Sequence, residues 1–178
     1  MEDNIKVSDK EFVMLLKEEQ IQAKIKDLAI QIQSDFHAHN PVFLVVLKGA
    51  FFFAASLIKQ IDLPCEISFI KVSSYAGDQS SGEIKFNFGL TEGLSDRNIL
   101  IIEDIVDSGL TIYKLLEALN KLKPRSVKIA TLVLKPKALK YEVPINYFGF
   151  ELGNEFLLGF GMDYNEKGRN LQDIYRAK

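Results

Sequence analysis

Ile21, Ile25, Leu28, Ala29, Ile32 and Phe36 recur at the three- and four-residue steps of a helix, predicting one buried stripe. Upstream, Ser8-Asp9-Lys10-Glu11 has the form of a capping box, which satisfies free N–H groups and predicts a helix start there. His37-Ala38-His39-Asn40-Pro41 ends the helical stretch, because the residue before a proline avoids helical angles.

The pattern then changes to short continuous apolar runs. Val42 to Leu47 predicts a buried strand, followed by a tight loop at Lys48-Gly49 and a helix from about Ala50 to Gln60. Glu66 to Val72 predicts the next strand. Ser73 to Gly82, rich in Ser and Gly with a lone Tyr75, predicts a loop that is mobile when empty. Asn98 to Ile102 predicts an aliphatic strand, and the helix after Gly109 buries Ile112, Leu115, Leu116, Leu119 and Leu122 before Pro124 closes it. Val127 to Leu134 predicts a strand stopped by Lys135-Pro136, and runs near Tyr147 to Phe150 and Phe156 to Phe160 predict the last strands.

Strands alternating with helices predict an α/β fold, a parallel sheet covered by helices on both faces. Such sheets bind ligands beyond the carboxyl ends of their strands, and the polar clusters of this chain fall at those ends.

A chain of 178 residues favours one domain, residues 1–178, and 47% hydrophobic with 11% aromatic content is ordinary for a globular protein. The net charge of −2 offers no basic excess for a phosphate backbone, which argues against nucleic acid as the main partner. A small phosphorylated ligand remains compatible, because its binding is local. The one cysteine, Cys65, makes no internal disulfide and suits a reducing compartment. Met1-Glu2-Asp3-Asn4 is unlike a secretory signal, and the longest apolar stretch, Phe43 to Ile58, is broken by Lys48 and Gly49. The expectation is a cytoplasmic protein with no membrane partner.

The strongest chemical signal is Ile101-Ile102-Glu103-Asp104-Ile105-Val106-Asp107-Ser108-Gly109-Leu110-Thr111. A strand runs into a short loop that opens a helix, whose free N–H groups and partial positive charge suit a phosphate. Gly109 permits close backbone approach, and Ser108 and Thr111 add hydroxyl donors. Carboxylates accept from the vicinal hydroxyls of a ribose, so Glu103 and Asp104 suggest a sugar phosphate. If the strand continues through them, the two point to opposite sides. The alternative reading is that Asp107 or Ser108 only caps the helix and the acids are solvated.

This segment resembles the phosphoribosyl-pyrophosphate motif of type I phosphoribosyltransferases. Leu47-Lys48-Gly49, Ser74-Tyr75, Asp78-Gln79-Ser80-Ser81-Gly82, Leu134-Lys135, Phe150-Glu151 and Gly161-Met162-Asp163-Tyr164-Asn165-Glu166 with Arg169 follow the order of that family's hypoxanthine-guanine branch, from about Val42 to Leu171. The resemblance implies a small hood over the active site and a transfer of phosphoribosyl from 5-phosphoribosyl-1-pyrophosphate to a 6-oxopurine, giving IMP and GMP. It implies that Asp107, Ser108, Gly109, Leu110 and Thr111 cradle the 5-phosphate, with Asp107 also the general base at N7. Glu103 and Asp104 would approach the ribose and, with Asp163, a Mg²⁺ ion. Lys48, Gly49 and Arg169 would bind pyrophosphate, and Ser74-Tyr75 would lie on the closing loop. Lys135 would contact the purine O6, Phe156 would stack on the base, Leu157 would offer backbone groups, and Asp163 would lie near the purine. A homodimer or homotetramer is implied. A xanthine- or pyrimidine-using transferase, and a regulator that senses phosphoribosyl pyrophosphate, are the competing expectations.

The chain departs from the family pattern at three places. Gly168 stands where an aromatic is common, which is expected to loosen Arg169. Ala50 replaces a frequent serine, and the tail after Leu171 is short.

Overall fold

The computed structural model describes residues 4–74, 84–86 and 92–178. Its larger sheet has six strands in the order β5-β4-β3-β6-β7-β8. These are β3 (Val42–Leu47), β4 (Glu66–Ser74), β5 (Ile84–Phe86), β6 (Asn98–Val106), β7 (Ser126–Leu134) and β8 (Tyr147–Glu151). Five run parallel, and β5 pairs antiparallel with β4 at the edge. β4 extends through Ser73 and Ser74, which were expected in the loop, because these residues pair with Lys85 and Ile84 of β5. The remainder of that expected loop, including Tyr75, lies outside the described residues.

Helices α1 (Glu18–Phe36) and α2 (Phe51–Ile58) cover one face of the sheet, and α3 (Leu110–Asn120) covers the other. This explains the unbroken apolar runs. Phe43, Val45, Leu100 and Ile102 pack toward α1 and α2, while Val42, Leu44, Val46, Ile99 and Ile101 pack toward α3. Alternate side chains leave opposite faces of a strand, so both parities must be apolar. Each such fully buried side chain contributes about 1.5–3 kcal/mol of transfer free energy. Ile112, Leu115 and Leu119 of α3 are buried as expected, while Leu116, and Leu122 just past the helix end, are only partly so.

The first residues correct the sequence reading. No helix starts at Ser8. Strands β1 (Asn4–Val7) and β2 (Lys10–Leu16) form a hairpin whose register pairs Val7 with Lys10 and leaves Ser8-Asp9 as the turn. Ser8 has φ 55°, the left-handed angle that the first central residue of a two-residue hairpin loop requires. Ser and Asp serve turns as well as helix caps, and here distant partners decide between them. β10 (Ile174–Ala177), in a tail that gave no strand signal, inserts between β2 and β9 (Leu157–Leu158). The resulting four-stranded antiparallel sheet, β1-β2-β10-β9, joins both ends of the chain. Helix α1 begins only at Glu18, whose amide donates to Asp173 Oδ1 at 2.8 Å. Among the described residues no helix is long and apolar enough to cross a membrane.

Candidate active site

Strand β6 continues past Ile102 to Val106, so alternation separates its two acids. Glu103 lines a small pocket with Asp107, Gly109, Thr111 and Ile112. Asp104 lines a larger cavity of ≈ 200 Å³ with Ile105, Asp107, Lys135, Phe156, Leu157, Met162, Asp163 and Arg169. Asp107 is exposed and borders both spaces. Burial pushes the Glu103 carboxyl well above the ordinary carboxylate range, and the neighbouring Asp104 charge adds to the rise. Burial also raises Asp104, opposed by hydrogen bonds from Glu103 and backbone amides and by the Arg169 charge.

Gly109, rather than Asp107 or Ser108, caps α3. Its φ of 79° is left-handed, and an added Cβ would meet the Tyr141 carbonyl at 3.0 Å. No side chain caps this helix start in the usual way. The Leu110 amide donates to Ser108 Oγ at 3.4 Å, and Asp107 Oδ1 accepts from the Ser108 amide. The Ser108 carbonyl accepts from the amides of Lys140 and Tyr141 at 3.0 and 3.2 Å, which ties the loop to the segment after β7. The helix start is thus held in place and open to an anion.

At the end of β3 the Leu47–Lys48 peptide is cis. Lys48 Nζ pairs with Glu166 Oε2 at 2.9 Å, and the same oxygen lies 3.4 Å from Arg169 Nη2. Arg169 Nη2 also meets Asp163 Oδ1 at 2.6 Å, while Nη1 donates to the Gly161 carbonyl at 2.9 Å. Gly168 does not leave Arg169 loose. It has φ 89° and packs on Leu158, and the arginine next to it is gripped by Gly161 and Asp163. The Lys48–Glu166 pair is 55% and 65% exposed, so it is worth little and exchanges readily for another anion.

Lys135 emerges from β7 into the cavity and is 8% exposed. Its ammonium donates to the Glu155 carbonyl at 2.7 Å, leaving further N–H donors on the same nitrogen. Phe156 is 45% exposed and forms an aromatic wall, and Leu157 pairs with Arg176 in the second sheet.

One cavity therefore collects Asp104, Asp107, Lys135, Phe156, Leu157, Asp163 and Arg169. Glu103, Gly109 and Thr111 line the adjoining pocket, Lys48 reaches the cavity wall through Glu166, and Ser74 stands on β4. The sequence reading missed Ile105 and Met162, which complete the apolar wall, and Glu166, which links Lys48 to Arg169. Each lies within or beside a recognised motif, but an apolar residue or an exposed glutamate carries no signal of its own. Among the described residues no cluster of three His, Cys, Asp or Glu side chains is built to hold a metal ion. Asp104 and Asp163 do line one cavity, and carboxylate oxygens fit a hard cation that takes its other ligands from substrate and water.

Residues 13–165 match the family model described as phosphoribosyl transferase domain. The chain is 44% identical to a hypoxanthine-guanine phosphoribosyltransferase of Bacillus subtilis over 162 residues, covering 90% of each chain. It is 40% identical to the hypoxanthine-guanine-xanthine phosphoribosyltransferase of Tritrichomonas foetus, covering 90% of this chain and 88% of the relative. The solved structure of a Bacillus anthracis hypoxanthine-guanine phosphoribosyltransferase superposes with a TM-score of 0.86 at 37% identity, covering 98% of both chains.

Proposed function

The chain belongs to the phosphoribosyl transferase family, and from that premise we propose that it is a purine-salvage enzyme. It joins hypoxanthine or guanine to 5-phosphoribosyl-1-pyrophosphate, releasing pyrophosphate and forming IMP or GMP. The observation that carries this reading is the buried Lys135 ammonium, which shares a cavity with Asp107 at the start of α3. A fixed cationic donor suits the O6 of an oxopurine and opposes the amino group of adenine.

The loop Asp107 to Thr111 binds the 5-phosphate through the backbone of Ser108, Gly109 and Leu110 and the hydroxyls of Ser108 and Thr111. Glu103 and Asp104 accept from the ribose hydroxyls. Lys48, Gly49 and Arg169 receive the pyrophosphate, with the Arg169 fork exchanging Glu166 for phosphate oxygens. Phe156 stacks on the base, Leu157 offers backbone groups to its edge, and Lys135 donates to O6. Asp107 takes the N7 proton as the N9–ribose bond forms and the pyrophosphate leaves. Mg²⁺, held by Asp104 and Asp163, would neutralise the charge of the leaving pyrophosphate. Ser74, at the end of β4, and Tyr75, which follows it in sequence, would help to exclude water from the reacting centre.

The reading extends to a one-domain, cytoplasmic protein. A homodimer or homotetramer is the proposed assembly, supported by Phe51, Ile67 and Phe69, which expose apolar surface along α2 and β4. Xanthine as an additional substrate is the second reading, favoured by the Tritrichomonas foetus relative.

The test is pyrophosphate release with Mg²⁺ and 5-phosphoribosyl-1-pyrophosphate, offering hypoxanthine, guanine, xanthine, adenine and uracil in turn. Release with hypoxanthine and guanine but not adenine or uracil is expected. Binding of phosphoribosyl pyrophosphate without release for any base would overturn the enzyme in favour of a regulator.

A further inference from the structure

Phe156 belongs to the cavity wall, but the side chains that hold its ring stand behind that wall, on the N-terminal hairpin and the loop after Met162. The rings of Phe12 and Phe156 are 6.4 Å apart. Tyr164 lies 5.9 Å from each and meets both edge-on. The Lys10 ammonium sits over two of these rings, 5.2 Å from the centroid of Phe156 and 4.7 Å from that of Tyr164. The Tyr164 hydroxyl donates to Asp9 Oδ1 at 2.9 Å, and Lys167 Nζ lies 3.4 Å from Ser8 Oγ. The hairpin turn and the loop therefore grip each other, with Phe156 between them and the cavity.

Backbone alone restrains this ring weakly. Phe156 precedes a strand of two residues, and its carbonyl accepts one hydrogen bond from the Ala177 amide at 2.9 Å. A half-exposed phenyl ring with two free torsions samples several rotamers, whereas a stacking platform must keep one orientation. Edge-on ring contacts and an ammonium over the ring face supply the missing restraint. Phe12 is fully buried and anchors the cluster.

We propose that Lys10 and Tyr164 are positioning residues for the purine base, fixing the Phe156 ring so that the N-terminal hairpin is a working part of the base site. This rests on the reading of Phe156 as the residue that stacks on the base. Neither residue touches the substrate; both act through the ring.

The test compares KM for hypoxanthine, KM for phosphoribosyl pyrophosphate and kcat in Lys10→Met, Lys10→Arg, Tyr164→Leu and Phe156→Leu. Lys10→Met and Tyr164→Leu should raise KM for hypoxanthine about 3- to 10-fold and leave the other two parameters within about 2-fold. Lys10→Arg keeps the cation and should restore KM. In a Phe156→Leu background, Lys10→Met should have no further effect, because its route to the base is gone. If Phe156→Leu raises KM for hypoxanthine and Lys10→Met does not, the positioning role is overturned while the stacking reading stands. If Phe156→Leu itself leaves KM unchanged, the stacking reading falls and the positioning role falls with it. An equal rise in KM for both substrates in Lys10→Met would also overturn the proposal, since it would mark a general loss of structure.

Discussion

A β-carbon on Gly49 would stand 1.9 Å from Oδ2 of Asp104, inside the van der Waals envelope of that carboxylate. The loop after β3 and the acid at the end of β6 occupy adjoining space that only a glycine leaves free. Gly49→Ala must displace one of them. We predict a rise in KM for phosphoribosyl pyrophosphate of about 10-fold or more, with KM for hypoxanthine changed far less, since misplacement by about 1 Å can cost 100-fold. Steady-state kinetics with each substrate varied in turn checks this. Equal effects on both would detach the loop from pyrophosphate binding.

Asp107 is exposed, borders both the cavity and the pocket, and does not serve as the cap of α3. Asp107→Asn should therefore fold with an unchanged melting temperature and lose about 100- to 10,000-fold in kcat. Unchanged turnover would remove Asp107 from the base role.

Lys135 is buried and hydrogen-bonded to the Glu155 carbonyl, so its charge faces little competing solvent. Lys135→Met should lower kcat/KM for hypoxanthine about 10- to 1,000-fold, while binding of phosphoribosyl pyrophosphate falls much less. Parallel loss of both, measured by kinetics and by calorimetric titration, would argue against the contact with O6.

Glu103 gives a pH prediction. Burial and the Asp104 charge raise its folded-state pKa well above the ordinary value of 4.5. An acid with a raised folded pKa contributes stability below its unfolded pKa, and that contribution is lost as pH rises through the folded value. The ligand-free protein should thus lose stability relative to Glu103→Gln as pH climbs above the ordinary carboxylate value. Thermal melts of both proteins across that window check this. Parallel pH profiles would show that Glu103 is not held protonated by its site.

Much of this was legible in the residues. Val42 to Leu47, Asn98 to Ile102 and Val127 to Leu134 are continuous aliphatic runs, and a strand covered on both faces has little other way to be written. The acids, Asp107-Ser108-Gly109 and Thr111 were readable as a site because a strand, a turn and a helix start follow one another within a few residues.

Tertiary structure decided the rest. Ser8-Asp9-Lys10-Glu11 satisfies the local chemistry of a helix start and of a hairpin turn alike. Pairing of Phe12 with Ala177 and of Leu16 with Ile174 selects the hairpin. Those partners lie at the far end of the chain, so no window of sequence contains both. The same holds for Lys10 over Phe156, Lys48 against Glu166 and Gly49 beneath Asp104. Local periodicity encodes which face of an element is apolar. Which distant side chain comes to rest against it is set only when the sheets close and each buried group must find its partner.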